Sequence, residues 1–252
     1  MAQKYYVVWK GRETGVFNDW STCKRHIEHF PNARYKSFKT KAEAEAAFKG
    51  GAGSTSTGSQ TAIKKKPGVK TYTAAEIKIL EIDTKIYTDG GCEPNPGQAG
   101  SGVAIYRDEQ ISELWYGLYN PNGTNNTAEL NALFQAMMMA KDELKKDRSV
   151  AIFCDSKYSI QCVTQWAAGW EKKGWKKAGG EIKNLALIQD MFALYKELKA
   201  KLHILHVNGH VGVEGNELAD RMSILAIEKQ DPDFVRFTED IDVEQLLAKR
   251  SG

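Results

Sequence analysis

Between Gly50 and Lys70 the chain reads GGAGSTSTGSQTAIKKKPGVK, with almost nothing apolar to bury. Such a stretch cannot repay the entropy of folding, so it predicts a flexible tether. The 252 residues must then divide into a small unit before it and a larger one after it. The boundaries expected are 1–49 for the first unit, 50–80 for the linker, 81–229 for the second unit, and 230–252 for an acidic C-terminal tail. A tether keeps the second unit concentrated near any ligand that the first one holds.

The formal charge is only +3, but it is unevenly placed. Residues 1–50 hold ten Lys/Arg against five acids, and residues 157–184 hold six Lys against two. The last 25 residues reverse the balance, with seven acids against four bases. Two separated basic regions predict a polyanionic partner. The four cysteines lack zinc-ligand spacing, which points to reduced thiols. No apolar run has membrane-spanning length and MAQKYYVVW enters a strand pattern directly, so a soluble, cytoplasmic monomer is expected.

The first unit reads as ββαβα. Tyr5 to Lys10 and Val16–Phe17 alternate like paired strands, Asp19 or Ser21 can cap a helix carrying Cys23, and RYKSF forms a third strand. Thr40 with Glu43 makes a capping box for an alanine-rich helix. In the second unit a β-branched run, Lys85 to Thr88, ends in Asp89 and drops into a turn rich in Gly and Pro. Two more strands, Gly102 to Arg107 and Ser112 to Tyr119, complete a meander. A long helix follows, with Leu130, Leu133, Phe134, Met137 and Met138 on its apolar side. Val150 to Phe153 is a buried-type strand ending at Asp155, and Leu202 to Val207 is a fifth. Alternating strands and helices after a meander imply a mixed α/β sheet with helices packed on it.

Four acids stand in distinctive settings: Asp89, Glu129, Asp155 and Asp220. Each has a plain structural alternative. Asp89 can be turn chemistry, Glu129 can pair with Asn126 at a helix start, Asp155 can cap a helix, and Asp220 can partner Arg221 or Lys229. Were the strands of Asp89 and Asp155 neighbours, the two carboxylates would end side by side, a repulsive arrangement that cations relieve. Magnesium suits such oxygen ligands.

YTDGG, TNNTAEL, CDS before a helix, and GHVGVEGNELAD resemble, in order and setting, the four acidic motifs of type 1 ribonuclease H. GRETGVF, Trp20 and FPNARYKSF resemble the hybrid-binding domain found at the N-terminus of that family. The resemblance implies a five-stranded mixed sheet in the order 3-2-1-4-5, helices on both faces, and the third and fifth strands at the edges. It implies an endoribonuclease that hydrolyses the RNA strand of RNA–DNA hybrids with two Mg2+ ions, Mn2+ substituting, and leaves 3′-hydroxyl and 5′-phosphate ends. Asp89, Glu129, Asp155 and Asp220 would hold the ions, on the order of 4 Å apart. His210 would be the family's mobile histidine. Asn95, Asn125 and Asn126 would reach the minor groove, where the 2′-hydroxyl marks RNA. Thr124 and Asn184 would hold a DNA phosphate, with Asn122 where some relatives have arginine. Tyr158 and Trp166 would line the DNA channel, next to the lysine-rich excursion of Trp166, Trp170 and Trp175. In the first unit Trp20, Tyr35 and Lys36 would grip the hybrid, or duplex RNA, with Ser37 where relatives often carry a second lysine. Trp20 and Tyr35 can equally be core aromatics of so small a domain. Two other functional classes compete: a hybrid- or duplex-RNA-binding protein that is not catalytic, and an integrase or transposase of the same fold, which needs DNA-end-recognition domains that this chain has no room for.

Overall fold

In the computed structural model, which describes residues 4–28, 30, 33–49, 69–177, 179–209 and 212–252, the described residues form two units on either side of the Lys66–Pro67 boundary. Most of the stretch read as the tether, residues 50–68, lies outside the described residues, as does His210. In the first unit β1 (Tyr5–Lys10) is the central strand of three, antiparallel to both β2 (Gly15–Phe17) and β3 (Arg34–Phe38). Helix α1 (Trp20–Ile27) is capped by Asp19, whose Oδ1 accepts from the Thr22 amide at 2.8 Å. Helix α2 (Lys41–Lys49) starts with the expected capping box: Glu43 Oε2 accepts from Thr40 N, and Thr40 Oγ1 accepts from Glu43 N. Val7, Val8, Cys23 and Ala44 are the fully buried core. Trp20 and Tyr35 are not part of it. They are 44% and 49% exposed, with ring centroids 5.9 Å apart.

The second unit opens with β4 (Thr71–Tyr72) and α3 (Ala74–Lys78), which begins at a Thr73–Glu76 capping box and buries Ile77. Residues 71–78 therefore belong to this unit rather than to the linker, because one buried isoleucine and a capped turn anchor them. The meander is β5 (Thr84–Glu93), β6 (Gly97–Arg107) and β7 (Gln110–Gly123). Helix α4 (Asn125–Leu144) leads to β8 (Val150–Cys154), and then α5 (Lys157–Gln161), a π-helical turn at Cys162–Trp166 and α6 (Ala167–Glu171) run on without a break. Helix α7 (Leu185–Leu198), β9 (Leu202–Val207), α8 (Glu214–Lys229), β10 (Phe234–Arg236) and α9 (Val243–Leu247) complete the unit.

The sheet order is β10-β7-β6-β5-β8-β9-β4. Its inner five strands have the expected 3-2-1-4-5 order, with β8 parallel to both β5 and β9. Both expected edges are covered: β10 pairs antiparallel with β7, and β4 pairs parallel with β9. The acidic C-terminal residues are thus no free tail. Phe237 and Leu246 are buried among Leu114, Leu218 and Met222.

Strand alternation separates two cores. Ile86, Ile105 and Ile152 face α4 and α7, while Tyr87, Ala104 and Phe153 face α8. Leu130, Leu133 and Met137 of α4 are fully buried, each contributing about 1.5–3 kcal/mol. The buried stripe continues through Ala132, Ala136 and Ala140, whereas Phe134 is half-buried and Met138 is 38% exposed. Small alanine side chains let the helix lie close on the sheet, so the apolar arc is rotated from the one that the larger residues suggest.

Candidate active site

The register places the acids. Thr88 of β5 pairs with Cys154, the last residue of β8, so Asp155 just past β8 lies beside Asp89. The strand expected to stop at Asp89 instead runs on to Glu93, because Gly90 to Glu93 stay paired with β6. Two glycines then let helices close on this spot. A Cβ at Gly90 would collide with the backbone of Ala128 and Glu129 in α4, and one at Gly102, which pairs with Asp89, would collide with Ala219 and Ser223 in α8. Glu129 and Asp220 are thereby delivered beside Asp89 and Asp155. All four acids line one cavity of about 320 Å³, with Asn125, Glu93, Arg250 and Gly252 at its walls.

None of the acids has its plain structural role alone. Thr124 caps α4, accepting from Thr127 N at 3.2 Å, so Glu129 is not a cap partner. Ser156, not Asp155, caps α5. Asp220 does bond Arg221, and its carboxylate also accepts from Gly252 N at 3.1 Å. Asp89, Glu129 and Asp220 are buried.

The RNase H family description matches residues 81–228, and the description Ribonuclease H1 N-terminal domain matches residues 4–48. Ribonuclease H1 of Mus musculus is 31% identical over 255 residues, 87% of each chain. The chain belongs to the RNase H family. Ribonuclease H of Acidovorax sp. (strain JS42) is 38% identical over 145 residues, covering 57% of this chain and 94% of its own. In fold, the chain resembles LC9-RNase H1, a type 1 RNase H with the type 2 active-site motif, at TM-score 0.52 and 24% identity over 68% of this chain and 83% of that one. It is thus a type 1 ribonuclease H with the N-terminal domain.

The acids in the cavity of this RNase H repel one another, a repulsion that cations would relieve. Burial, and then the charges of Asp155 and Asp220, push the Asp89 carboxyl well above its usual range. Burial, then Asp89 and Asp155, does the same to Glu129. Glu129 Oε2 is buried and has no hydrogen-bond partner. Ligand atoms of Glu129, Cys154 and Asp155 lie within 4.8 Å of one another. Burial raises the Cys154 thiol well above its usual value, which keeps it protonated and a poor ligand, so the donors are hard oxygens that fit Mg2+.

A pH dependence follows. A carboxyl whose pKa is raised by folding keeps its proton in the folded chain where the unfolded chain has lost it, so stability falls as pH rises above the ordinary values of 3.8 and 4.5. Glu143 acts in the opposite sense: although burial opposes it, bonds from Arg107 and Lys146 hold it down at about 2. Its contribution is complete above its ordinary 4.5 and is lost only as pH falls toward 2. Between about pH 5 and pH 8 the metal-free protein should therefore lose melting temperature, at about 2–4 °C per kcal/mol, and Mg2+ should restore more at pH 8 than at pH 5. Calorimetry in EDTA and in Mg2+ checks this, and a flat profile in EDTA would contradict it.

Of the other predicted residues that are described, one borders the cavity. Asn125 lines it, and its amide donates to Asn95 Oδ1 at 3.3 Å, while Asn126 is exposed beside them. Thr124 and Asn184 are joined through Thr127, whose Oγ1 lies 2.8 Å from Thr124 Oγ1 and donates to Asn184 Oδ1 at 3.1 Å. Asn184 also interacts with the hydroxyl of Tyr158, whose ring lies 5.9 Å from that of Trp166. Trp166, Trp170 and Trp175 are half-buried against the α4-side core, so the lysines 172, 173, 176 and 177 carry the exposed surface there. Lys36 is exposed on β3. Sequence reasoning missed Thr127 and Asn216. The latter is 1% exposed and donates from Nδ2 to Asp155 Oδ2 at 3.2 Å; its setting in GNELAD was the available signal.

Proposed function

We propose that this chain is an endoribonuclease that hydrolyses the RNA strand of RNA–DNA hybrids, leaving 3′-hydroxyl and 5′-phosphate ends, with two Mg2+ ions and Mn2+ as a substitute. The observation that carries this reading is the convergence of Asp89, Glu129, Asp155 and Asp220 on one cavity in a chain of the RNase H family. The raised carboxyl pKa values and the partnerless Glu129 oxygen support cation binding there. Bound ions supply Lewis-acid activation of a water and stabilise the leaving oxygen. The chain's own part is to hold them: Asp89, at the centre, between the other acids, and Glu129, Asp155 and Asp220 around it.

Asn95, Asn125 and Asn126 form the edge that reads the minor groove, which favours a hybrid because the 2′-hydroxyl is displayed there. Thr124, Asn184, Tyr158 and Trp166 take the DNA strand. His210 serves proton transfer or product departure. The first unit holds the hybrid through Trp20, Tyr35 and Lys36; the exposure of the two rings supports this role, since aromatic faces left in solvent can stack or pack on a strand. Residues 1–49 would act as the binding unit and 81–229 as the catalytic one. No helix among the described residues is long and apolar enough to cross a membrane.

Labelled hybrid, duplex RNA and duplex DNA, each incubated with Mg2+, test the reading. The hybrid should be cut in its RNA strand and the others left intact. Hybrid binding without cleavage would replace the proposal with a binding protein. Removing residues 1–49 should raise KM about tenfold or more while kcat stays near that of the whole chain. Loss of all cleavage would contradict the division of labour.

A further inference from the structure

His206 lies in β9 and is 3% exposed. Its ring spans two elements that are distant in sequence. Nε2 is 3.0 Å from the backbone oxygen of Asp155, and Nδ1 is 2.8 Å from Thr71 Oγ1 in β4. A carbonyl oxygen only accepts, so Nε2 carries a hydrogen and donates. On a neutral ring Nδ1 is then an acceptor, and the Thr71 hydroxyl donates to it. Burial and the nearby Lys157 charge lower the His206 pKa, consistent with a neutral ring. The two bonds thus select one tautomer between them, since the partner of one ring nitrogen sets what the other can do.

The register explains how this is built. His206 pairs with Cys154 on one side and Thr71 on the other, so β4 reaches it only because that two-residue strand extends the sheet beyond β9. Asp155 is consequently held from two sides. Asn216 Nδ2 donates to its carboxylate and His206 Nε2 donates to its main chain. Gly209, three residues past His206, packs directly on the same carboxylate.

We infer that His206 is a positioning residue for the reaction: its Nε2–H fixes the main chain of Asp155, and Thr71, in the strand that begins the second unit, holds the ring in the tautomer that does so. This rests on the proposal that Asp155 is a metal ligand. Partners that orient a ligand from behind commonly change metal affinity or activity about 10–100-fold when removed.

Glutamine and asparagine separate the two ring nitrogens. A Gln side-chain amide reaches the Nε2 position, whereas an Asn amide reaches only the Nδ1 position. In the full chain, His206→Asn should weaken Mn2+ binding, measured by titration calorimetry, about tenfold or more, and lower kcat on hybrid with KM little changed. His206→Gln should recover most of both. Thr71→Val, which keeps the shape of the threonine and removes its donor, should shift metal affinity in the same direction by a smaller factor. A merely structural histidine predicts equal losses of melting temperature in the Asn and Gln variants with metal affinity unchanged in folded protein, and that result, or Thr71→Val and His206→Asn both binding Mn2+ like the parent, would overturn the inference. Asp155→Asn separates the levels. If it binds Mn2+ as tightly as the parent, the ligand assignment falls and this inference falls with it; if it loses Mn2+ while His206→Asn does not, only the positioning role fails.

Discussion

Asp89→Asn is expected to lower the rate of hybrid cleavage by about a thousandfold or more, because a divalent ion contributes several kcal/mol to the transition state and each 1.4 kcal/mol is a factor of ten. Hybrid binding should change little. The substitution keeps the size of the side chain and leaves an amide oxygen to accept from Gly90 N, the donor now 2.8 Å from Asp89 Oδ1. What it removes is the charge that Asp155, Asp220 and Glu129 all face. The same change should raise the melting temperature of the metal-free protein at neutral pH, since one of several mutually repelling buried groups is gone. Single-turnover cleavage, a gel shift with hybrid and calorimetry in EDTA together read the three effects. Cleavage within about tenfold of the parent would sink the assignment of Asp89 as the central ligand, because no remaining group could supply the missing several kcal/mol.

The acids were legible in the sequence because all sit in motifs and Asp155 follows the end of a strand. Asp89 was found for a reason that is only partly right, since the glycines after it read as a turn but continue β5, and only the partner strand β8 stops there. Their alternatives could not be dismissed from sequence alone. Only coordinates show that Thr124 and Ser156 already cap the helices that Glu129 and Asp155 might have served. The inner five strands were equally legible. The outer two were not: β4 and β10 have two and three residues, too few to display any period, and they form because the sheet edges offer them partners. The stripe of alanines on α4 was missed for a related reason, since alanine carries little hydrophobic signal and its burial depends on how closely the sheet approaches. His206 and Asn216 act on Asp155 from 51 and 61 residues away, a relation that no local pattern encodes. Trp20 and Tyr35 show the converse case. In so small a domain they could equally have been core aromatics, yet among the described residues of this three-stranded sheet and two short helices only Val7, Val8, Cys23 and Ala44 are fully inside.

The glycine after Asp89 should prove nearly as sensitive as the acid itself. Gly90→Ala leaves all four carboxylates in the chain, but its methyl group would overlap the backbone nitrogen of Glu129 and the carbonyl carbon of Ala128. Backbone atoms of a helix cannot rotate away as a side chain can, so either α4 shifts outward or β5 bends. Both movements separate Glu129 from Asp89. A displacement of about 1 Å at a reacting centre can cost about a hundredfold in rate, and overpacking of this kind costs about 1–3 kcal/mol of stability. The expected result is therefore a fall in kcat of that order, weaker binding of Mn2+, and a lower melting temperature, by about 2–4 °C per kcal/mol. Gly169→Ala is the stability control: it lies in α6 with nothing within 4 Å of the added methyl, and alanine there should be neutral or stabilising by up to about 1 kcal/mol. If Gly90→Ala cleaved hybrid within about threefold of the parent and melted at the same temperature, close approach of α4 to β5 at Gly90 would not be what brings Glu129 to Asp89.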